Sequence, residues 1–352
     1  MENNSLKILS FGAGAIGTYI GGSLALAGHE VVFVERPDVV EALRERGLRL
    51  DLTLDARRKT LETDLIPPAD LVFSDSLEKA LDYGPFDVAL FALKSYDTAS
   101  ALKEIESLAE KMPPILCLQN GVDNEPTIAE ILGPEMVIAG TVTSAVGRRD
   151  AGDIVLEKLR GIGIANEHPL SETLVKAMNG AFLNAKLYER AVDMKWSKML
   201  TNLVGNATSA ILDMPPAEIF ARNDLYAFEM RMLREALDVM EAQKIQVVNL
   251  PGTAVKTLAF AAKGPLWLRP LAAKKLGGGR GGKMPSFHID LHSGRGKSEV
   301  EYLNGAVVQA GKQVGIPTLV NQLLNETLLA MTRKEISVES YAQQPEKLLG
   351  QV

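Results

Sequence analysis

Short apolar runs alternate with helical patterns through the first half of the chain. The runs are compact and rich in β-branched residues. Segments with helical periodicity follow the first two runs. This alternation predicts an α/β fold, a doubly wound and mostly parallel sheet with helices on both faces. The predicted strands are 6–11, 30–35, 87–92, 115–118 and 136–142, and the clearest helices are 15–27 and 38–46.

After about residue 190 the pattern changes to long helical segments separated by turns that contain proline and glycine. The predicted helices are 193–212, 224–243, 298–314 and 318–332, and they indicate an all-α second domain. We therefore expect a dinucleotide-binding domain over residues 1–190 and a helical substrate and catalytic domain over 191–352. The glycine-rich stretch 277–283 is interpreted as a flexible connector, because no strand precedes it and no Ser or Thr follows its lysine as in a P-loop.

Composition narrows the class of protein. The 352 residues, 46% of them apolar, suffice for two cores. A net charge of −6 without a dominant basic cluster argues against nucleic acid as a partner. The single Cys117 excludes an internal disulfide and fits a reducing compartment. Without a secretion signal or an apolar run of about 18 residues, we expect a cytoplasmic protein with no membrane partner.

Metal binding is not expected from the sequence. Four histidines and one cysteine make a structural zinc site improbable. His288 and His292 lie four residues apart, which suits a metal pair on a helix. No helix is clearly predicted there, however, and no third ligand is evident.

A glycine-rich turn between the first strand and the first helix carries the spacing GxGxxG. Gly12 suits a tight turn, Gly14 allows close approach of a pyrophosphate, and Gly17 allows the helix to pack on the strand. Ala15 and Ile16 open the helix, whose N-terminal amides favour phosphate. The placement of the motif therefore predicts a dinucleotide site, and a turn without a ligand is the alternative.

Two charged residues at the end of the second strand bear on the choice of dinucleotide. Glu35 stands 18 residues after Gly17, where an acidic group would bind the ribose 2′-hydroxyl of NAD(H). Arg36 would instead hold the 2′-phosphate of NADP(H). Arg36 has a second explanation as an ion-pair partner of Asp38 or Glu41. The residues alone leave the cofactor open.

Lys198, Asn202 and Asn206 form a polar row with four-residue spacing in a largely apolar predicted helix. A cation and two amides cost free energy there unless they face a partner or ligand. The row offers a proton donor beside two neutral hydrogen-bonding groups. A solvated stripe on a surface helix is the alternative.

Lys94 and Asn120 follow two of the predicted parallel strands, where ligands sit in open α/β sheets. In the second domain, Ser298 and Glu301 fit a capping box. Glu299 is favoured in the first turn of a helix whatever else it does.

These residues together resemble the ketopantoate reductase family, the 2-dehydropantoate 2-reductases. The matching segments extend from about residue 6 to 332, and their order and spacing are more specific than any one of them. They are Gly12–Gly17, Leu93-Lys94, Gln119-Asn120-Gly121, the row Lys198, Asn202 and Asn206, and Ser286 followed by Glu299–Gly305.

The resemblance implies a Rossmann domain and a helical domain with the active site in the cleft between them. Lys198 would be the general acid, and Glu299 would bind the substrate hydroxyl and orient Lys198. Asn202 and Asn206 would contact the substrate and Ser286 its carboxylate. The catalytic residues implied are Lys198 and Glu299, the substrate-binding residues Asn120, Asn202, Asn206 and Ser286, and the cofactor-binding residues Gly12, Gly14, Ala15, Ile16, Gly17, Glu35, Arg36, Lys94 and Asn120.

The activity implied is NADPH-dependent reduction of 2-dehydropantoate to pantoate in pantothenate biosynthesis. Arg36 matches the 2′-phosphate arginine of the family, so NADP(H) is favoured, with NAD(H) as the alternative because of Glu35. Residues 254–285 form a longer connection than is usual in the family, which leaves another 2-oxo acid as an alternative substrate. A dinucleotide-binding sensor is the non-enzymatic alternative, and a homodimer is left open.

Overall fold

A computed structural model describes residues 5–58, 63–264 and 283–352. The chain divides into two compact units. The first comprises Met1–Gln119, Asp123–Lys195 and Leu250–Thr253, and the second comprises Asn120–Val122, Trp196–Asn249 and Ala254–Val352. The expected boundary at residues 190 and 191 stays a prediction.

The first unit contains an eight-stranded sheet and a four-stranded sheet. The large sheet has the order β12-β11-β8-β7-β6-β1-β2-β5 and is parallel except between β8 and β11. The small sheet has the order β4-β3-β10-β9 and was not predicted. The strands are β1 Lys7–Phe11, β2 Glu30–Val34, β3 Leu48–Asp51, β4 Asp64–Ile66, β5 Val72–Ser74, β6 Val88–Phe91, β7 Ile115–Cys117, β8 Val137–Val142, β9 Ala145–Asp150, β10 Asp153–Lys158, β11 Ile162–Ala165 and β12 Ala185–Tyr188.

Helices of the first unit cover both faces of the large sheet. Adjacent residues of one strand point to opposite faces, so Ile8 and Leu9 enter two separate apolar clusters, as do Ala89 and Leu90. Burial on both faces explains the continuous apolar runs of these strands. The predicted doubly wound α/β fold is confirmed. Its helices are α1 Ala15–Leu26, α2 Pro37–Arg46, α3 Leu77–Leu81, α4 Thr98–Glu106, α5 Asn124–Leu132 and α6 Ser171–Gly180, and α7 Ala191–Leu203 continues into the second unit.

The second unit is built of helices in the part of the chain that the structure describes, as predicted. A π-helical turn at Glu301–Gly305 runs directly into the helix that starts at Ala306. The helices are α8 Asn206–Leu212, α9 Pro216–Ala221, α10 Asn223–Ala242, α11 Val255–Lys263, α12 Ser286–His292, α13 Ala306–Val314, α14 Leu319–Thr332 and α15 Pro345–Leu349. Among the described residues, no helix is long and apolar enough to cross a bilayer.

One predicted helix, 193–212, is wrong in its continuity. The chain is helical to Leu203, and Gly205 then takes a left-handed conformation with φ of 60° before α8 starts at Asn206. Glu229 of α10 stabilises this break, because its fully buried carboxylate accepts hydrogen bonds from the Gly205 N–H (2.8 Å) and the Thr208 hydroxyl. Lys198 and Asn202 therefore share one helix, whereas Asn206 begins the next.

A buried carboxylate also caps the N-terminus of α14. Glu235 accepts hydrogen bonds from the backbone N–H groups of Val320 (2.9 Å) and Asn321 (3.0 Å). These amides lie in the first turn, where a negative charge is favourable. The Asn321 side chain in turn accepts from Asn304 of the π-helical turn (3.1 Å). Two carboxylates of α10 thus fix the ends of its neighbouring helices.

Candidate active site

The glycine turn after β1 has the geometry that its spacing predicts. Gly12 has a φ of 89°, and a Cβ added at Gly17 would stand 2.1 Å from the carbonyl oxygen of Gly12. Helix and strand therefore approach more closely than any side chain would permit. A Cβ at Gly14 would meet nothing within 4 Å. The turn thus has free space at the one glycine where a ligand is expected.

The N-terminus of α1 is suited to an anion. Gly14 is its N-cap and supplies no side-chain hydrogen bond, and no acidic residue stands in the first turn. The first amides of a helix carry partial positive charge and need acceptors. Ala15 and Ile16 open this helix, as expected for a pyrophosphate site. These features fit a dinucleotide.

Glu35 is anchored to the glycine turn, and Arg36 is exposed. The N–H of Ala13 donates to Glu35 Oε1 (2.8 Å), and the N–H of Arg36 donates to Oε2 (3.2 Å). The Arg36 side chain is 72% exposed and lies 3.6 Å from Asp38. The ion pair with Asp38 that the sequence offered as a second explanation is therefore present, but its exposure makes it weak.

A buried polar network supports the loop that carries Lys94. Gln119 donates to the Leu93 carbonyl oxygen (3.0 Å) and to the Thr98 hydroxyl (2.8 Å). The Thr98 hydroxyl donates to Asn124 (3.1 Å), which donates to Ser95 (3.3 Å). Lys94 itself is half-buried at the N-cap of a short 3₁₀ helix, Ser95–Asp97. Fully bonded networks of this kind hold a loop in one conformation.

Lys195 is a buried charged residue next to Gln119 that was not predicted from the sequence. Its buried ammonium lies 2.6 Å from Glu125 and donates to the carbonyl oxygens of Gln119 (2.7 Å) and Gly140 (3.3 Å). Burial opposes the charge, but the nearby carboxylate of Glu125 outweighs it, so the pKa of Lys195 lies above its ordinary value. Lys195 fixes the carboxyl end of β7, directly before Asn120.

In the second unit, α7 brings Asn202 to Asn120. The Asn202 side-chain amide donates to Asn120 Oδ1 (3.0 Å). Lys198 stands one turn earlier on the same helix and is half-buried, like both asparagines. The segment Asn120–Val122 belongs to this unit. Two residues separated by 82 positions are thus placed side by side.

Asn206 is paired with Ser286 instead. Its Nδ2 donates to Ser286 Oγ (3.4 Å), and its Oδ1 accepts from the N–H of Phe287 (3.1 Å). Both asparagine and serine begin helices, α8 and α12. The expected substrate-binding residues therefore form two pairs, Asn120 with Asn202 and Asn206 with Ser286.

Glu299 is 3% exposed and lies just before the helical turn that starts at Val300. The predicted capping box is replaced by a shorter contact: the Val300 N–H donates to Ser298 Oγ (3.2 Å), while Glu301 is exposed. The two-residue reach reflects a chain that enters the π-helical turn rather than a regular α-helix. A buried carboxylate costs free energy, so its burial favours a specific role for Glu299.

A third polar side chain stands beside the two histidines, contrary to expectation. His288 and His292 lie on α12, and Asp213 Oδ1 is 2.7 Å from His288 Nε2. The sequence separation of 75 residues concealed this neighbour. The remainder of the long connection, including Trp267 and most of the glycine-rich stretch, lies outside the described residues.

Two family models match the chain over most of its length. The model described as ketopantoate reductase PanE/ApbA matches residues 8–166, and the model of the PanE/ApbA C terminal matches residues 190–332. The chain belongs to the ketopantoate reductase family. Members are oxidoreductases that act on 2-oxo acids, which confirms the predicted enzyme class.

Curated relatives from this family are similar over about nine tenths of the chain. The 2-dehydropantoate 2-reductase of Pyrococcus horikoshii is 25% identical over 91% of this chain and 95% of its own length. That of Archaeoglobus fulgidus is 26% identical over 90% and 95%. The resemblance read from the sequence motifs is therefore confirmed at the level of the family.

Solved structures share the fold. A PanE/ApbA family ketopantoate reductase from Ralstonia eutropha aligns with a TM-score of 0.77 and 25% identity, over 94% of this chain and 99% of the other. D-mandelate dehydrogenase, solved with NADH and anilino(oxo)acetate, aligns with a TM-score of 0.75 and 21% identity over the same shares. The predicted combination of a Rossmann domain with a helical domain is confirmed.

Proposed function

We propose that this protein reduces 2-dehydropantoate to pantoate with NADPH. The observation that carries the proposal is the arrangement of polar residues in the second unit. The half-buried Lys198 shares a helix with Asn202, which contacts Asn120, and the buried Glu299 adds a carboxylate. The curated relatives named 2-dehydropantoate 2-reductase support the choice of substrate.

A dinucleotide held at the glycine turn and the start of α1 would supply a hydride to the carbonyl carbon of the 2-oxo acid. As that C–H bond forms, the carbonyl π pair moves onto oxygen. The Lys198 ammonium stabilises this negative charge and donates a proton to the oxygen, which completes the alcohol. The neutral amine that remains regains its proton from solvent.

The other residues orient the substrate in this proposal. The amides of Asn202 and Asn206 hydrogen-bond its polar groups, and the Ser286 hydroxyl binds the carboxylate. Glu299 accepts a hydrogen bond from the distal hydroxyl of the substrate and orients the Lys198 side chain. Neutral amides suit this task because they bind both donors and acceptors without competing for the proton.

The choice of NADPH rests on the end of β2. The Arg36 guanidinium is exposed and forms a weak ion pair with Asp38, so it is available for a 2′-phosphate. The Glu35 carboxylate is turned towards the N–H groups of Ala13 and Arg36. If the Glu35 carboxylate instead accepts a hydrogen bond from the ribose 2′-hydroxyl, NADH is the cofactor.

The test is oxidation of NADPH and NADH by purified protein with a panel of 2-oxo acids, ketopantoate among them. The proposal expects the highest kcat/KM with ketopantoate and NADPH. Arg36→Ala should lower kcat/KM for NADPH by at least about tenfold, the effect of about 1.4 kcal/mol, and leave NADH unchanged. Glu35→Gln removes a negative charge beside the 2′-phosphate, so it should raise kcat/KM for NADPH.

Each other outcome selects a named alternative. If a different 2-oxo acid is reduced and ketopantoate is not, that acid and not ketopantoate is the substrate. The fold shared with D-mandelate dehydrogenase makes 2-oxo acids with an aromatic substituent a useful part of the panel. A preference for NADH that is lost in Glu35→Gln would show that NADH, and not NADPH, is the cofactor. Dinucleotide binding with no oxidation by any acid would favour the sensor.

A further inference from the structure

Three metal-ligating side chains that the proposed function does not use lie close together in the second unit. His288 and His292 stand one turn apart on α12 with ring centres 4.2 Å apart. Asp213 joins them after α8, and one ligand atom from each of the three lies within 4.8 Å of the others. We propose that Asp213, His288 and His292 bind one divalent transition-metal ion of the zinc class.

The donor set selects that class of ion. Two imidazoles with one carboxylate suit Zn²⁺ and its neighbours, whereas Ca²⁺ and Mg²⁺ prefer oxygen ligands. Ligand atoms about 2.0–2.2 Å from a tetrahedral Zn²⁺ are roughly 3.3 Å apart. To bind the ion, His288 Nε2 and Asp213 Oδ1, now 2.7 Å apart, must move slightly apart. The most widely separated of the three ligand atoms, within 4.8 Å of one another, must move closer. Half-exposed Asp213 and exposed His292 can turn to do this.

Two helix ends give the position a negative potential. Asp213 is the C-cap of α8 in a left-handed conformation, with φ of 49°. A carboxylate is unfavourable at the negative end of a helix, so this one calls for a cation. His292 is the last residue of α12, another negative helix end. Both C-termini thus favour a positive charge where the three side chains meet.

An ion at this position would join two helices that already touch at their other ends. Asn206 begins α8 and Phe287 lies in the first turn of α12, and their hydrogen bond links the two N-termini. The ion would link Asp213 and His292 at the two C-termini. It would therefore stabilise the helix pair that carries Asn206 and Ser286.

The test is calorimetric titration of Zn²⁺ into untagged, chelator-treated, full-length protein. One equivalent should bind. His292→Ala and Asp213→Asn should each weaken binding by more than the roughly 10–100-fold that loss of an outer hydrogen-bond partner typically costs. His292 is exposed, and asparagine tolerates the left-handed conformation, so both variants should fold. His168→Gln, in the first unit, is the matched control and should bind as the wild type does.

A second readout is thermal unfolding with Zn²⁺. At a free concentration of about 100 times Kd, the ratio of folded to unfolded protein should rise about 100-fold. The unfolding temperature should rise for the wild type and His168→Gln but not for His292→Ala. Absence of stoichiometric binding, or equal binding by His292→Ala, would overturn the proposal. Neither readout uses the reductase activity, so this proposal and the proposed function succeed or fail separately.

Discussion

Alanine in place of Gly17 should damage both the stability and the dinucleotide affinity of the first unit, whereas alanine in place of Gly14 should damage only the affinity. The two glycines belong to the same turn and are three residues apart. A Cβ added at Gly17 would stand 2.1 Å from the Gly12 carbonyl oxygen and 3.1 Å from its carbon. A Cβ added at Gly14 would have no neighbour within 4 Å.

The expected magnitudes follow from these distances. Contacts of this kind below 3.0 Å are essentially never seen, so α1 and the turn must separate in Gly17→Ala. Overpacking typically costs about 1–3 kcal/mol, and this contact is with backbone, which has little freedom to move. Gly14 has a φ of −71°, which alanine adopts without strain. The stability of Gly14→Ala should therefore stay within about 0.5 kcal/mol of wild type.

The assay pairs urea unfolding of the ligand-free protein with calorimetric titration of NADPH. Gly17→Ala should lose about 1–3 kcal/mol in the free energy of unfolding and bind NADPH weakly. Gly14→Ala should unfold like wild type, yet its affinity should fall by at least about tenfold, because its methyl group occupies the space left for pyrophosphate. Equal stability losses in both variants, or wild-type affinity in Gly14→Ala, would refute this assignment of the turn.

Three further substitutions test the supports of the site. Glu229→Ala should cost about 2–5 kcal/mol of stability, because it leaves the buried N–H of Gly205 and a hydroxyl without their acceptor, while Glu229→Gln keeps an acceptor and should cost less in the same urea titration. Lys195→Met should cost about 3–5 kcal/mol by leaving Glu125 without its cation, and a second change, Glu125→Leu, should restore much of that loss. The Lys195 pKa is raised in the folded protein, so the stability that the Lys195 charge contributes should be fully present from neutral pH to about pH 10 and fall as pH rises through the folded value, a trend that Lys195→Met should lack. Asn202→Ala should lower kcat/KM for the 2-oxo acid and leave the Kd of NADPH unchanged, and a change in both would place the asparagine at the cofactor instead.

Local features of the fold were predictable from the sequence. The glycine turn depends on three residues within six positions, and the strands that flank it are continuous apolar runs. Gly12 and Gly17 are required by the turn itself, so their spacing carried the prediction. The family resemblance extended this to residues far apart, such as Asn120 and Asn202.

Features set by distant contacts were not predictable. Gly205 lies within a run of helical character, and Glu229, 24 residues later, stabilises the break there. Lys195 looks like an ordinary helix residue until the fold places it against the carbonyl oxygens of Gln119, after β7, and Gly140, in β8. Asp213 reaches His288 across 75 positions. In each case the deciding partner comes from another element, and the periodicity of one segment holds no information about it.

In the proposed reaction, Lys198 protonates the carbonyl oxygen as the hydride arrives. The most direct measurement is the rate of NADPH oxidation with ketopantoate for Lys198→Ala, beside Lys256→Ala as a control at an exposed lysine of the same unit. We expect kcat to fall by roughly 10²–10⁴-fold in Lys198→Ala, with NADPH affinity retained, and Lys256→Ala to match the wild type. A wild-type kcat for Lys198→Ala would contradict this role of Lys198.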